Sequence, residues 1–273
     1  MSKILKKFCG VFGYKLLPKE LKPIHKYNLI RLGKENDGGY LIEKESLLNS
    51  KGLISFGLNY DWSFEKDFFQ NNEVPIHCYD PTVKYSSIKK FSRKYLLKLF
   101  NKNYWSITGI KNIIKLFNLS KDYKKFFLKN VVHYQKAIGI GKNLIKLEDV
   151  FKNINLTPVF LKIDIEGSEY RILDDIIFLQ KHISGLVIEF HNVDLHMSRI
   201  LDFIRKLDLT IVHIHGQNPG GKDYLDHNQD PIQIEITFSR FNSFLESQPQ
   251  IPHELDQSSD PRFDEVKLFF DQD

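Results

Sequence analysis

VFLKIDIEGSEYRIL, Val159–Leu173, is the stretch that decides the fold. Its first half is a near-continuous apolar run, the pattern of a strand covered on both faces by helices. The run delivers Asp164, turns at Gly167 and enters a helical pattern over Glu166–Leu179. There Tyr170, Leu173, Ile176 and Ile177 keep the 3.6-residue spacing of a buried stripe. Glu169 falls in the first helical turn, where capping alone explains an acid. Asp164 has no such explanation, because the carboxyl edge of an open α/β sheet is where ligands sit.

The same alternation extends in both directions. Strands are predicted at Gly52–Phe56, Pro75–Tyr79, Val131–Ala137, Pro158–Ile163, Gly185–Phe190, Thr210–His215 and Pro231–Phe238. Helical patterns fall at Ser63–Gln70, Glu166–Leu179 and Asp194–Leu207. Strands joined by helix-sized connections give an α/β fold with a doubly wound, mostly parallel sheet of about seven strands. No internal repeat or low-complexity linker is present. The expected organisation is one domain over residues 1–273, with an N-terminal approach segment at 1–50 and a helical insert at 82–130.

A chain of 273 residues with 42% hydrophobic content can bury a core without disulfides. Its two cysteines, Cys9 and Cys78, suit a reducing compartment, so the expected location is cytoplasmic. No apolar run approaches the roughly 18 residues of a membrane span, and Lys15, Pro18 and Lys19 interrupt the opening before a signal-like core forms. Charge is uneven. Thr82–Asn130 holds thirteen basic residues against the single acid Asp122, so that this stretch carries +12 and the remainder −7. Aromatic and aliphatic residues recur among these lysines at helical spacing. Two readings stand side by side: a solvated lysine face over an apolar stripe, or a cap drawing in an anionic substrate or the inner face of a membrane.

Three further segments carry chemistry. LISFGLNYDWSFE, Leu53–Glu65, runs from a strand through Gly57 and Asn59 into a helix near Ser63. Such turns let backbone approach a ligand, although this one lacks GxGxxG and GK[ST]. IHCYDPT places Asp80 at the end of the next strand, where a carboxylate can accept ribose hydroxyls or simply form an Asp-Pro turn. Beyond Asp164, the strands ending near residues 190 and 215 bring Glu189, His191, His213 and His215 to the same edge. His191 and His215 are candidate general bases or structural histidines. Asp164 and Glu189, with or without His191, could instead hold a divalent cation such as Mg²⁺.

LKIDIEGSEYRIL resembles the signature of the FkbM-type S-adenosylmethionine-dependent methyltransferases, roughly K-I-D-x-E-G-x-E. The similarity extends to FGLNYDWSFE, CYDP, QKAIGIG (Gln135–Gly141), VIEFHN (Val187–Asn192), HIHGQN (His213–Asn218), IEITF (Ile234–Phe238) and ELDQSSDPRFDEVKLFF. RLGKENDGGYLI (Arg31–Ile42) is similar to the D-G-G-Y approach segment of a subgroup of the family. The resemblance covers about residues 30–271 and leaves 82–130 as this chain's own elaboration. It departs in the first turn, where Ser55 and Leu58 replace the commoner acid and paired glycines.

The resemblance implies a Rossmann-like methyltransferase sheet and S-adenosylmethionine as cofactor. Gly57, Asn59, Asp61 and Ser63 would shape the turn beneath the methionyl part, and Asp80 would hold the ribose. Ala137 and Ile138 would flank the adenine, and Asp164 would face the sulfonium. Position at the carboxyl ends of apolar strands makes His191, His215, Asp164 and Glu189 the candidates for the chemistry. Asp37, Tyr40, Lys89, Arg93 and Asn218 would meet the acceptor. Such enzymes mostly methylate hydroxyls of sugars or glycans. With the basic insert, this implies an anionic acceptor: a sugar, a nucleotide sugar or a surface-glycan (capsule or lipopolysaccharide) precursor. Its lysine, isoleucine, asparagine and phenylalanine load points to an AT-rich bacterial genome. Two alternatives stay open, a small phosphorylated amine or phosphoramidate as acceptor, and an RNA methyltransferase or nucleic-acid-binding protein using the insert. The net −7 of the remaining chain disfavours nucleic acid, and the oligomeric state is open.

Overall fold

A computed structural model describes residues 17–90, 118–139, 141, 144–218, 225–226 and 231–271. Strands β1 (Leu29–Gly33) and β2 (Gly39–Glu43) form an antiparallel hairpin. There follow α1 (Lys44–Leu48), β3 (Leu53–Phe56), α2 (Ser63–Asn71), β4 (Ile76–Tyr79) and β5 (Val131–Tyr134). Next come α3 (Leu147–Ile154), β6 (Val159–Ile163), α4 (Leu173–Leu179) and β7 (Ile183–His191). The order closes with α5 (Val193–Lys206), β8 (Thr210–Gly216) and β9 (Gln233–Ser239).

Seven of these strands make one sheet in the order β8-β9-β7-β6-β3-β4-β5. Six point the same way, and only β9 runs antiparallel, between β7 and β8. The expected doubly wound, mostly parallel sheet is therefore the observed one. Its order reverses between β3 and β6, the switch point at which such sheets open a ligand crevice. Register sharpens this. Phe56 pairs with Tyr79 and with Ile163, Tyr79 with Tyr134, and Ile163 with Ile188. The next residue along each strand path is Gly57, Asp80, Asp164 or Glu189, so these stand in one row along the carboxyl edge.

Alternation along β6 shows why both faces are buried. Leu161 and Ile163 pack with α3, α4 and α5 through Val150, Ile176 and Phe203. Phe160 faces the other way, against Phe64 and Phe68 of α2 and Tyr40 of the hairpin. Thr237 Oγ1 donates to Leu41 O at 2.6 Å, which ties the hairpin to β9.

Some boundaries differ from expectation. The helix expected from Glu166 starts as a 3₁₀ turn at Glu169–Arg171 and becomes α-helical at Leu173. Glu166 and Gly167 have φ of 53° and 88°, which no right-handed helix accommodates. The strand expected to Ala137 stops at Tyr134, and Ala137–Ile138 pairs instead with Leu144–Ile145. α3 and the N-terminal hairpin had no counterpart among the expected elements.

Within the insert, residues 85–90 and 118–126 are helical, and 91–117 lie outside the described residues. The insert's only acid is its anchor. Asp122 Oδ2 accepts from Trp62 Nε1 at 2.8 Å and pairs with Lys66. Tyr123 and Phe127 set their rings edge-on to Trp62 at 5.5 and 5.4 Å. Changing Asp122 to alanine leaves a buried indole N–H unpaired. It should lower stability by about 1–3 kcal/mol, read as a shift of the urea midpoint; an unchanged midpoint would mean that the insert is not anchored here.

Candidate functional site

The turn after β3 is shaped by close backbone contact. A Cβ on Gly57 would lie 1.8 Å from Asp164 O, and the residue has φ of 87°. Only glycine meets both conditions. Asn59 and Tyr60 also take positive φ, 40° and 57°. Asp80 holds this turn in place. Its Oδ2 accepts from Leu58 N at 2.8 Å and Asn59 N at 3.1 Å, while Oδ1 accepts from Thr82 N, Thr82 Oγ1 and Val83 N. Burial would raise the Asp80 pKa, but the Thr82, Leu58 and Asn59 hydrogen bonds outweigh it and keep the carboxyl below its ordinary value. Five donors fill a carboxylate's lone-pair sites, so Asp80 is seen here as the clamp of the turn.

Two cavities meet at this turn. One, of about 470 Å³, is walled by Tyr79, Asp80, Ala137, Ile138, Ile165 and Ser168. Tyr79 is backed by Tyr134, stacked at 4.7 Å. The other, of about 240 Å³, lies beneath the hairpin and takes in Asp37, Tyr40, Lys162, Glu189 and His191. Gly57, Asn59, Asp164 and Glu166 line both. Asp61 and Ser63, expected with the cofactor, fall on the second side. Lys34 Nζ is 2.9 Å from Asp61 Oδ2, and Lys34 N donates to Ser63 Oγ at 3.0 Å. A turn of two consecutive left-handed residues carries them past Gly57 to the hairpin.

The second cavity is rich in charge. Lys162 projects from apolar β6, its side chain 6% exposed. Its Nζ donates to Gly57 O at 2.8 Å, lies 3.9 Å from Asp164 Oδ2, and sits 5.2 Å from the Tyr40 ring centre. Burial alone would lower its pKa, but the charges of Glu65, Asp164 and Glu189 outweigh this and keep it protonated. Glu65 is itself buried and accepts from Ser55 Oγ, which gives the departure at Ser55 a structural role. A lysine inside the apolar run VFLKI was the sequence signal for this residue.

His191 ends β7. Its backbone N donates to Glu169 Oε1 at 2.8 Å, and its Nδ1 lies 3.2 Å from the same oxygen. Glu169 also accepts from Gly167 N at 2.9 Å. Glu169 is fully buried, so it does more than cap a helix: it binds the β6 turn to the end of β7. The His191 Nε2 faces Glu166 and Glu189, 3.5 Å from each. Burial would lower the His191 pKa, but Glu169, Asp164 and Glu166 reverse the direction and raise it. The surrounding carboxylates thus favour the charged form of the ring.

The Asp164–Glu189 pair does not fit a divalent cation. The Tyr40 hydroxyl stands between the two carboxyls, and Lys162 already supplies positive charge at Asp164. Asp164, Glu166 and His191 bring one donor atom each within 4.8 Å of one another. However, Asp164 accepts from Tyr40, the His191 ring is held by Glu169, and the Glu166 side chain is 80% exposed. No cation is assigned here.

Two other expectations fail for one reason. His215 and Asn218 do not line either cavity, because the C-terminal segment covers them. His215 Nε2 pairs with Glu265, its Nδ1 lies 3.7 Å from Glu235 Oε2, and neighbouring His213 meets Asp256 at 3.0 Å. Burial works against the charged His215, but Glu235 and Glu265 overcome it and raise its pKa to about 10. An imidazolium so held cannot serve as a base at neutral pH. Asn218 accepts from Asp260 N at 3.0 Å and donates to Asp264 O at 3.1 Å. Lys89 is exposed and lines neither cavity, and Arg93 lies outside the described residues.

Changing His215 to alanine leaves Glu235 and Glu265 without their cation. The change should cost about 3–5 kcal/mol of stability, measured by thermal melting, while nucleoside binding persists. The pair's contribution is complete below the unfolded histidine pKa of about 6.5 and is lost as pH rises through about 10. A variant with wild-type stability would show that the ion pair does not hold the segment.

Comparison with known proteins adds three findings. Residues 107–209 match the family described as Methyltransferase FkbM domain. That stretch contains the β6 motif, Glu189 and His191, and lies between Asp80 and His213. No curated protein matches the chain. Among solved structures, similar folds include an rRNA methylase from Streptococcus thermophilus (10% identity, TM-score 0.37, covering 72% of this chain and 92% of that one). Another is precorrin-6y C5,15-methyltransferase from Geobacter metallireducens (12%, 0.35, 72% and 85%). A third is the human methyltransferase 10 domain containing protein (11%, 0.39, 73% and 79%). At these scores the likenesses decide nothing about substrate. The match of residues 107–209 to the FkbM methyltransferase domain, on a sheet of this order, supports a methyltransferase.

Proposed function

We propose that the chain is an S-adenosylmethionine-dependent O-methyltransferase acting on a hydroxyl of a sugar-like acceptor. The meeting of two unlike cavities at Gly57 and Asp164 carries this reading. The larger one suits the cofactor: Tyr79, Ala137 and Ile138 offer flat apolar walls for an adenine, and Gly57 and Asn59 shape its end. The cofactor supplies an electrophilic methyl group on a sulfonium, and Asp164 is the carboxylate at the junction that would face that positive charge. Asp80 acts by fixing the turn, with any ribose contact falling at its rim.

The smaller cavity suits the acceptor. Tyr40, Asp37, Gln233 and Glu189 present hydrogen-bonding groups of the kind that read hydroxyls. Its described lining holds six acidic side chains, Asp37, Asp61, Glu65, Asp164, Glu166 and Glu189, against Lys34, Lys162 and His191. Such a lining works against a phosphate or carboxylate at the reacting end, and against a phosphodiester chain. The acceptor is therefore neutral where it reacts, and a phosphate carried by a nucleotide sugar would lie outside this cavity. Holding two reactants in adjoining cavities contributes the orientation on which in-line displacement depends. An amine acceptor is the second reading, supported by the same carboxylates.

Calorimetry with S-adenosylhomocysteine tests the cofactor half. Changing Gly57 to alanine forces the turn off Asp164 and strains a left-handed backbone by about 1–3 kcal/mol. Nucleoside affinity should then fall at least about tenfold; unchanged affinity would remove the turn from the site. Mass spectrometry after incubation with S-adenosylmethionine and neutral sugars, nucleotide sugars, amino sugars and RNA tests the acceptor half. Methylated sugar hydroxyls are expected, and a methylated nucleobase would overturn the assignment.

A further inference from the structure

Tyr40 is buried, with its hydroxyl 3.0 Å from Asp164 Oδ2 and 3.3 Å from Glu189 Oε2. A phenol carries one proton, so it can donate to only one of these oxygens. With both carboxyls ionised, the other contact would set lone pair against lone pair. The arrangement closes when Tyr40 donates to Asp164 and a protonated carboxyl of Glu189 donates to Tyr40. Position decides which carboxyl keeps the proton. Asp164 has Lys162 Nζ at 3.9 Å and a side chain 25% exposed, whereas that of Glu189 is 14% exposed.

Among the groups around Glu189, the acids favour its protonated form and outweigh the opposing charge of Lys162. Glu235 of β9 pairs with it in register, and Asp37 faces it from the hairpin turn. Gln233 Nε2 and His191 Nε2 lie 3.4 and 3.5 Å from its Oε1, too far for strong hydrogen bonds. Burial first, and then the charge of Asp164, pushes the Glu189 carboxyl well above its ordinary range. The same two causes push the Tyr40 phenol further from ionisation.

We propose that Glu189 is the group that takes the acceptor's proton, and that it gives up its resting proton to solvent when a sulfonium lies beside Asp164. This rests on the methyltransferase reading above and deepens it. Added positive charge at the junction favours the ionised carboxyl by Coulomb attraction in a low-dielectric cleft. The step then balances. The acceptor O–H proton passes to Glu189, and the acceptor oxygen bonds to the methyl carbon. The carbon–sulfur bond breaks, leaving its electron pair on sulfur. A sulfonium and a carboxylate become a thioether and a carboxylic acid, so the net charge of the cleft is unchanged.

Calorimetry of the full chain at neutral pH, in two buffers of different ionisation enthalpy, counts protons on binding. Release of up to about one proton is expected with S-adenosylmethionine and almost none with S-adenosylhomocysteine. The release should vanish at a pH high enough to ionise Glu189 without ligand. Changing Glu189 to glutamine should abolish it while both nucleosides still bind. Infrared difference spectra of the ligand-free protein give a second readout: a protonated-carboxyl band present in the wild type, absent in Glu189→Gln and shifted in Tyr40→Phe. Binding of the sulfonium without proton release would overturn the inference and leave the cofactor reading intact. Release that survives in Glu189→Gln but is lost in His191→Ala would transfer the role to histidine and overturn it too. Failure of the wild type to bind either nucleoside would overturn both.

Discussion

The site depends on one close approach, that of Gly57 to the carbonyl of Asp164. Parallel pairing of β3 with β6 sets it, since Asp164 N donates to Phe56 O at 3.0 Å immediately before the two chains diverge. From that point one path turns left-handed at Asn59 and Tyr60 and the other runs through Glu166 and Gly167 towards β7. The two cavities share a wall because the two chains touch there. Any side chain on residue 57 would separate them.

Buried charge is the second constraint. Lys162 is the cation within the row of Glu65, Asp164 and Glu189, and its ammonium also donates to Gly57 O. A lysine withdrawn from water is costly unless paired and hydrogen-bonded. Here the pairing fixes the geometry of the turn as well as the charge of the cleft beneath Tyr40. With more carboxylates than cations around it, the cleft is poised to receive positive charge at the junction. On the proposed reading, that is the electrostatic complement of a sulfonium donor and a poor one for an anionic acceptor.

Much of this was legible in the sequence because it is local. The apolar run into Asp164, the glycine turn at Gly57 and the acids at Asp80 and Glu189 all follow from strand-end position, and register brings them together. What was not legible depends on distant segments. His215 and Asn218 stand at a sheet edge and look like site residues until the C-terminal stretch folds over them through Glu265 and Asp260. Nothing near residue 215 in the sequence announces partners 50 residues away. Asp61 and Ser63 line the cavity beneath the hairpin, a placement set by two successive left-handed residues at Asn59 and Tyr60 that cannot be read from composition. The lysine-rich insert hid its own anchor in its single acid, where abundance drew attention to the bases. No helix among the described residues is long and apolar enough to cross a membrane, as the sequence led one to expect.

The central claim is that the two cavities divide the labour of methyl transfer at the Gly57–Asp164 contact. A crystal structure with S-adenosylhomocysteine tests it most directly. The account predicts the nucleoside in the cavity walled by Tyr79, Asp80 and Ile138, with its sulfur directed at Asp164 and the cleft beneath Tyr40 left open. A nucleoside seated in the Tyr40 cleft, or bound away from the β3–β6 edge, would contradict it.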